Sequence, residues 1–123
     1  MPRILVLDDE DDILYLVEAI LQMEGHEVRT AKTKSQFLEI LNSFQPHLVI
    51  LDVMIKGDDG REICREIKAA EHRHIPVILY SANPKLLENF SECSANYIIE
   101  KPFEMKHFID KIKEGLSHTS PGG

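Results

Sequence analysis

Continuously apolar runs that end at an aspartate constrain the fold of this chain more than any other feature. Residues 4–7 read Ile-Leu-Val-Leu, residues 47–53 contain Leu-Val-Ile-Leu, and Asp8 and Asp52 follow these runs directly. Such runs are typical of strands that are buried on both faces of a parallel sheet. A weaker, partly polar strand pattern occurs at residues 26–31, and further strand patterns occur at residues 75–80 and 96–99, so the sequence predicts five strands.

Helical patterns separate these strands. Apolar residues recur at intervals of three and four over residues 13–21, 37–44, 63–70 and 105–116, and this spacing places them on one face of a helix. A shorter helix is predicted after Asn83 and Pro84, because Asn caps helices and Pro suits the first helical position. Five strands alternating with five helices predict an α/β, flavodoxin-like three-layer sandwich, whose parallel sheet has the strand order 2-1-3-4-5.

Composition narrows the classes of function. The chain has 123 residues and a formal net charge of −7, which fits one domain and argues against direct binding of nucleic acid. Cys64 and Cys93 do not have the spacing of a zinc motif, so we expect reduced thiols in a cytoplasmic protein. No apolar run approaches the roughly 20 residues that a membrane helix needs. We expect a domain over residues 1–116 and a disordered tail or linker remnant over residues 117–123.

Polar residues follow four of the five predicted strands. Asp8 and Asp9 end the first strand, Asp52 ends the third, Ser81 follows the fourth and Lys101 follows the fifth. Because parallel sheets bind ligands at the carboxyl ends of their strands, these residues should converge on one crevice. Clustered carboxylates suit Mg²⁺, and a carboxylate can attack phosphorus. A lysine and a hydroxyl are suitable partners for the charge on a phosphoryl group.

Each of these residues also has a simpler interpretation. Asp8 and Asp9 could begin a solvated acidic turn, Asp52 could cap a strand, and Ser81 could form a turn. Lys101 could be an exposed loop lysine. The arrangement of all five at equivalent ends of four strands favours a common site.

Four segments together resemble the bacterial response-regulator receiver family. They are Ile-Leu-Val-Leu-Asp-Asp-Glu at 4–10, Leu-Val-Ile-Leu-Asp-Val-Met at 48–54, Val-Ile-Leu-Tyr-Ser-Ala at 77–82 and Lys-Pro-Phe at 101–103. The resemblance extends to about Leu116. It implies that Asp52 accepts a phosphoryl group from a sensor histidine kinase or a histidine phosphotransfer protein. The domain would then be a signalling switch rather than an enzyme, although it would promote its own phosphorylation and dephosphorylation.

The resemblance also implies a role for the other polar residues. Asp9, Asp52 and the backbone carbonyl of Met54 would bind Mg²⁺ directly, and Asp8 would bind it through a water molecule. Lys101 would contact the phosphoryl group, the Ser81 hydroxyl would be drawn to it, and the bond from Lys101 to Pro102 would be cis.

Two regions depart from the pattern of the family. Lys56 and Asp58 stand where relatives often have Pro and a hydrophobic residue, so we expect a more polar and mobile loop after the acceptor. Ile98 stands where relatives usually have Tyr or Phe, so we expect a switch through Ser81 with only a small change at Ile98. Partners, or a second copy in a homodimer, would bind the outer surfaces of the last two helices.

Two other functions remain open from the sequence. The chain could be a degenerate receiver that binds partners without phosphorylation, which the substitution at Ile98 weakly favours. It could instead be a magnesium-dependent phosphatase with an aspartyl nucleophile. Such enzymes commonly need a second acid two residues after the nucleophile, where this chain has Met54.

Overall fold

The computed structural model describes residues 1–118 and contains one five-stranded parallel sheet and one short hairpin. The strands are β1 (Arg3–Leu7), β2 (Glu27–Ala31), β3 (Leu48–Asp52), β4 (Met54–Ile55), β5 (Asp58–Asp59), β6 (Val77–Ser81) and β7 (Tyr97–Glu100). The parallel sheet has the order β2-β1-β3-β6-β7. This is the predicted order 2-1-3-4-5, and the predicted flavodoxin-like class is confirmed.

Four α-helices pack on the sheet. They are α1 (Asp11–Met23), α2 (Lys34–Phe44), α3 (Gly60–Ala69) and α4 (Met105–His118). Side chains cap two of them as their residue types favour, since Thr33 accepts from the Gln36 N–H and Asp59 accepts from the Arg61 N–H. Helix α4 includes Ser117, which we assigned to the tail. The rest of the predicted tail, from residue 119, lies outside the described residues.

The short helix that was predicted after Asn83 and Pro84 takes the form of two 3-10 helices, Pro84–Leu87 and Phe90–Cys93. Asn83 caps the first, as expected, by accepting from the Lys85 N–H. Leu86, Leu87, Phe90 and Cys93 pack on the core, and the last three of these recur at intervals of three. An interval of three matches the 3-10 helix rather than the α-helix, which has 3.6 residues per turn. The cap and the proline mark where a helix begins but not its type, so the predicted helical segment is present as 3-10 helix.

The core has two parts, one on each side of the sheet. Alternate residues of the strands face opposite sides, because side chains of a strand alternate. Leu5, Val49 and Leu79 pack with residues of α2, α3 and the two 3-10 helices, whereas Ile4, Ile50 and Tyr80 pack with residues of α1 and α4. Among the helices of the described residues, none has the length and apolar character that crossing a membrane requires.

Candidate phosphoacceptor site

The polar residues that the sequence singled out meet at the carboxyl ends of β1, β3, β6 and β7. Asp8, Asp52 and Ser81 are the buried polar residues of the part of the chain that the structure describes. All three lie at or directly after the last residue of a strand. Since β1, β3, β6 and β7 are consecutive neighbours in the sheet, the fold brings Lys101 to the same place. The predicted convergence is therefore present.

Four acidic residues form a cluster at this edge. Each of Asp8, Asp9, Glu10 and Asp52 places one carboxylate oxygen so that these oxygens lie within 4.8 Å of one another. Glu10 is an addition to the predicted set. Carboxylates this close repel one another, and a hard divalent cation with oxygen ligands relieves that repulsion. The donor set therefore suits Mg²⁺ better than a softer metal, which would favour sulfur or imidazole ligands.

Lys101 bridges the two buried carboxylates. Its Nζ donates to Asp8 Oδ2 at 2.9 Å and to Asp52 Oδ2 at 3.0 Å. Burial alone would lower the pKa of Lys101, but the hydrogen bonds and charges of Asp8 and Asp52 outweigh burial and raise this pKa. Lys101 therefore stays positively charged at neutral pH, next to the carboxylate that would receive a phosphoryl group.

The Asp52 carboxylate is held in an environment that disfavours its charge. Burial, opposed by Lys101 and reinforced by the negative charge of Asp8, raises the pKa of Asp52 to about 6. Oδ1 accepts from the Met54 N–H at 3.2 Å, and Oδ2 accepts from Lys101. A carboxylate with so few fixed donors is more available for attack than one that is fully hydrogen-bonded.

The loop after Asp52 is a hairpin of β4 and β5 that reaches back to the acidic cluster. The Lys56 N–H donates to Asp9 Oδ2 at 2.9 Å, and Gly57 supplies the positive φ of 84° that the turn needs. At the end of the hairpin, a Cβ on Gly60 would lie 2.1 Å from the Asp52 carbonyl oxygen. Glycine is therefore required where α3 begins beside Asp52. The sequence prediction of a polar loop did not foresee that its backbone would hold Asp9.

Ser81 connects the site to the segment that follows β6. Its hydroxyl oxygen accepts from the Asn83 N–H at 3.1 Å, and its side chain is buried. Because this bond uses the oxygen and not the hydroxyl hydrogen, Ser81 keeps a donor for another group. Ser81 and β7 are also linked through the backbone, since the Lys101 N–H donates to the Ser81 carbonyl at 2.9 Å.

Ile98 lies within β7, opposite Leu79 of β6, and Pro102 directly follows Lys101. Ile98 is partly buried against the α2 and α3 side of the core, and Tyr97 packs on the opposite side. This arrangement follows the alternation of a strand, so Tyr97 does not occupy the position of Ile98. The peptide bond from Lys101 to Pro102 is cis.

One site residue was missed by the sequence analysis. Tyr80, which we interpreted only as part of a strand, donates its hydroxyl to Asp8 Oδ2 at 2.5 Å. Burial and the nearby Asp8 charge raise the pKa of Tyr80 well above its usual value, so the phenol stays a donor. The signal available in the sequence was a tyrosine at the end of an otherwise aliphatic buried strand, Val-Ile-Leu-Tyr, where a buried hydroxyl needs a partner.

Comparison with known proteins decides the family. A sequence model described as the response regulator receiver domain matches residues 4–113. The chain belongs to the response regulator receiver domain family. Receiver domains are signalling domains of two-component systems, and they bind Mg²⁺ through acidic residues, as the cluster at the carboxyl edge of this sheet would allow.

Solved structures of receiver domains have the same fold. NtrX from Brucella abortus is 37% identical with a TM-score of 0.89, and the match covers 97% of this chain but 28% of that one. TrrA from Thermotoga maritima, solved in complex with Mg²⁺–BeF, is 33% identical with a TM-score of 0.86 and coverage of 94% and 100%. A CheY-like receiver domain from Methanospirillum hungatei JF-1 is 27% identical with a TM-score of 0.90 and coverage of 100% and 99%. This chain therefore spans about a quarter of the NtrX chain and nearly all of the other two.

Proposed function

We propose that this receiver domain is a phosphoacceptor switch that takes a phosphoryl group onto Asp52 in a magnesium-dependent reaction. The observation that carries the proposal is the position of the Asp52 carboxylate. It is buried at the sheet edge as a member of the acidic cluster, and Lys101 Nζ lies 3.0 Å from its Oδ2. A metal site and a fixed cation beside a carboxylate suit the transfer of a negatively charged phosphoryl group to it.

The reaction follows from these contacts. A carboxylate oxygen of Asp52 attacks the phosphorus of a phosphohistidine, and an oxygen–phosphorus bond forms as the nitrogen–phosphorus bond breaks. The electron pair of the broken bond stays with the imidazole nitrogen. Asp52 must be ionised to attack, and its pKa of about 6 leaves most of it ionised above pH 7. Lys101 and the Ser81 hydroxyl would stabilise the charge on the phosphoryl oxygens.

Four groups would hold Mg²⁺ in this reaction. Asp9, Asp52 and the backbone carbonyl of Met54 would bind it directly, and Asp8 would bind through a water molecule. When bound, the metal would neutralise the carboxylates and the oxygens of the incoming group. The Lys56 N–H, which donates to Asp9 Oδ2, would keep Asp9 oriented for this role.

The donor would be a sensor histidine kinase or a histidine phosphotransfer protein. We infer a cytoplasmic location, because Cys64 and Cys93 are free thiols, as is usual in a reducing compartment. A partner or a second copy of the domain would bind the surface formed by β7, α4 and the two 3-10 helices. This surface replaces the last two helices of the sequence prediction.

Intact-mass measurement after incubation with acetyl phosphate and Mg²⁺ tests the proposal. The domain should gain one phosphoryl group, acetate leaving as the oxygen–phosphorus bond of the donor breaks. Asp52→Asn should gain none, and removal of the metal with EDTA should stop the reaction. Asp58→Asn is a matched control, since Asp58 is an exposed carboxylate in the neighbouring hairpin, and it should be labelled like the wild type.

The same measurement separates the alternatives. Labelling of Asp52→Asn to the same extent would place the acceptor elsewhere and contradict the proposal. An unlabelled wild-type domain, both with acetyl phosphate and with histidine kinases, would identify a degenerate receiver. Rapid release of phosphate from many small phosphate esters would instead indicate the phosphatase.

A further inference from the structure

Tyr80 places a hydroxyl in the interior of the protein beside the site. Its side chain is fully buried, and it packs with residues of α1 and α4 on one side of the sheet. Packing alone would be satisfied by a phenylalanine or an aliphatic side chain. A buried hydroxyl is costly unless it is hydrogen-bonded, and Asp8 Oδ2, at 2.5 Å, is the acceptor.

The hydrogen bonds of Asp8 show what this hydroxyl adds. Oδ1 accepts from the Glu10 N–H at 2.9 Å, and Oδ2 accepts from both Tyr80 and Lys101. Asp8 is fully buried, so each oxygen needs a donor from the protein or from a bound molecule. Oδ2 accepts from two side chains of the protein. Of these two donors, only Lys101 would also contact a phosphoryl group.

We propose that Tyr80 is a positioning residue whose hydroxyl keeps Asp8 Oδ2 hydrogen-bonded while Lys101 turns from Asp8 to the phosphoryl group on Asp52. The inference rests on the proposed function. Without the phenol, the departure of Lys101 would leave a buried carboxylate oxygen with no protein donor, and Lys101 would be held in its resting position. With the phenol, Lys101 can move at lower cost.

The ring of Tyr80 has a separate contact with the same lysine. Lys101 Nζ lies 4.2 Å from the ring centroid, a distance at which a cation is attracted to an aromatic face. Phenylalanine would keep this contact and the packing of the ring. Tyr80→Phe therefore removes the hydrogen bond to Asp8 and little else, which makes it a clean test.

Beryllofluoride, a mimic of the phosphoryl group at Asp52, separates this role from a general effect on the pocket. Its affinity at saturating Mg²⁺ is measured by ¹⁹F NMR, and the affinity for Mg²⁺ alone is measured by calorimetry. In Tyr80→Phe we expect the beryllofluoride affinity to fall about tenfold and the Mg²⁺ affinity to change less than about twofold, because only the first needs Lys101 to leave Asp8. The rate of labelling by acetyl phosphate should fall in the same proportion as the beryllofluoride affinity.

Two controls sharpen the test. Tyr97→Phe removes a hydroxyl from the neighbouring strand and should change neither affinity. In a Lys101→Met background, Tyr80→Phe should have no further effect on beryllofluoride binding, because no lysine remains to be released. Melting curves establish that each variant is folded at the temperature of the measurement.

The outcomes are distinct. Unchanged beryllofluoride affinity in a folded Tyr80→Phe protein would overturn the role of Tyr80, and so would an equal loss of both affinities or an effect that persists in the Lys101→Met background. A wild-type domain that takes neither beryllofluoride nor a phosphoryl group would instead overturn the proposed function, and this inference with it.

Discussion

The two ends of the central sheet differ in the partners of their charged side chains. At the amino-terminal end these side chains donate hydrogen bonds mainly to backbone carbonyls, whereas at the carboxyl-terminal end they bind one another. Near the amino-terminal end, Arg3 donates to the Phe44 and Gln45 carbonyls, each at 2.9 Å. Lys68 donates to the Ile75 carbonyl at 2.6 Å and to Asn96 Oδ1 at 2.9 Å. These cations donate to oxygens that precede or connect the strands, so their hydrogen bonds contribute to stability, although burial lowers the pKa of Lys68.

The carboxyl-terminal end holds charge at a cost to stability. Asp8 and Asp52 are buried beside each other, and Lys101 donates a hydrogen bond to both. The raised pKa of Asp52 shows that Lys101 does not fully offset burial and repulsion. The comparison teaches that the same sheet offers two kinds of polar edge. One is stabilised by hydrogen bonds from its cations to neighbouring oxygens, and the other stays unfavourable until a ligand binds.

Removing the charge of Asp52 should give the largest effect on stability. Asp52 has a pKa of about 6 in the folded protein and an ordinary value of 3.8. The folded state therefore binds the Asp52 proton more tightly, so the contribution of this group to stability is fully present below about pH 4 and is lost as the pH rises through about 6. At pH 7.5 without metal, Asp52→Asn should raise the free energy of unfolding by roughly 2 to 3 kcal/mol.

Urea unfolding at several pH values measures this effect. The difference between Asp52→Asn and wild type should shrink as the pH falls from about 6 to about 4, where wild-type Asp52 is itself protonated. Asp58→Asn, in the exposed part of the hairpin, should show no such trend. If Asp52→Asn were less stable than wild type at pH 7.5, the comparison of the two ends would be wrong, because the charge of Asp52 would then stabilise the carboxyl-terminal end.

The opposite sign is expected at the amino-terminal end. Lys68→Met should lower the free energy of unfolding by about 1 to 2 kcal/mol, because the Ile75 carbonyl loses a charged donor while the burial of the ammonium group is relieved. Lys113→Met, at an exposed position of α4, is the matched control and should be nearly neutral. Stability equal to that of the control would show that Lys68 does not support this edge.

These two edges also show what the sequence could and could not predict. The apolar runs and the aspartates after them predict strands and their polar ends, because burial and alternation are local properties of a sequence. The bond from Tyr80 to Asp8 joins residues 72 positions apart, and the bond from the Lys56 N–H to Asp9 joins residues 47 apart. A local pattern can show that the Tyr80 hydroxyl needs a partner, but it identifies neither bond, since each depends on how distant segments of the chain meet in the fold.

The segment between β6 and β7 shows a second limit. Asn83 and Pro84 correctly predict where a helical segment begins. The type of helix depends on which residues the core accepts, and the core accepts Leu87, Phe90 and Cys93 at intervals of three. Propensity is a weak guide to that choice, because packing against α3 and the sheet decides it.

Magnesium should have a smaller effect, confined to the carboxyl-terminal edge. Binding to the folded state alone should raise the free energy of unfolding by roughly 1.4 kcal/mol when the concentration of Mg²⁺ is about ten times its Kd. This increase in the free energy of unfolding should be smaller in Asp8→Asn, which has one carboxylate fewer. In Lys68→Met it should equal that of the wild type. Thermal melts with and without Mg²⁺ measure both. An equal gain in Asp8→Asn and wild type would exclude Asp8 as a contributor.

The smallest expected effect is the structural signal that leaves the phosphorylated site. Ser81 accepts from the Asn83 N–H, and Asn83 in turn accepts from the Lys85 N–H at the start of the first 3-10 helix. A phosphoryl group on Asp52 adds strong acceptors beside the Ser81 hydroxyl, whose hydrogen is not used in either bond. Movement of Ser81 should therefore pull Asn83 and the turn that it caps.

Amide NMR shifts of the free domain and of the domain with beryllofluoride and Mg²⁺ follow this movement. We expect large shifts over residues 81–87 and a small change at Ile98, because a β-branched side chain has few rotamers and no polar group to offer. Ser81→Ala should bind beryllofluoride yet lose most of the shifts beyond Asn83, whereas residues near Arg3 should be unaffected in every case. Large shifts confined to α1, with residues 81–87 unchanged, would contradict this route. They would mean that phosphorylation changes the structure of α1 instead, through Asp9 and Glu10, which connect the acidic cluster to this helix. The two 3-10 helices would then pack on the core without responding to phosphorylation. Helix α1 would have to be counted as part of the carboxyl-terminal edge in the comparison of the two edges.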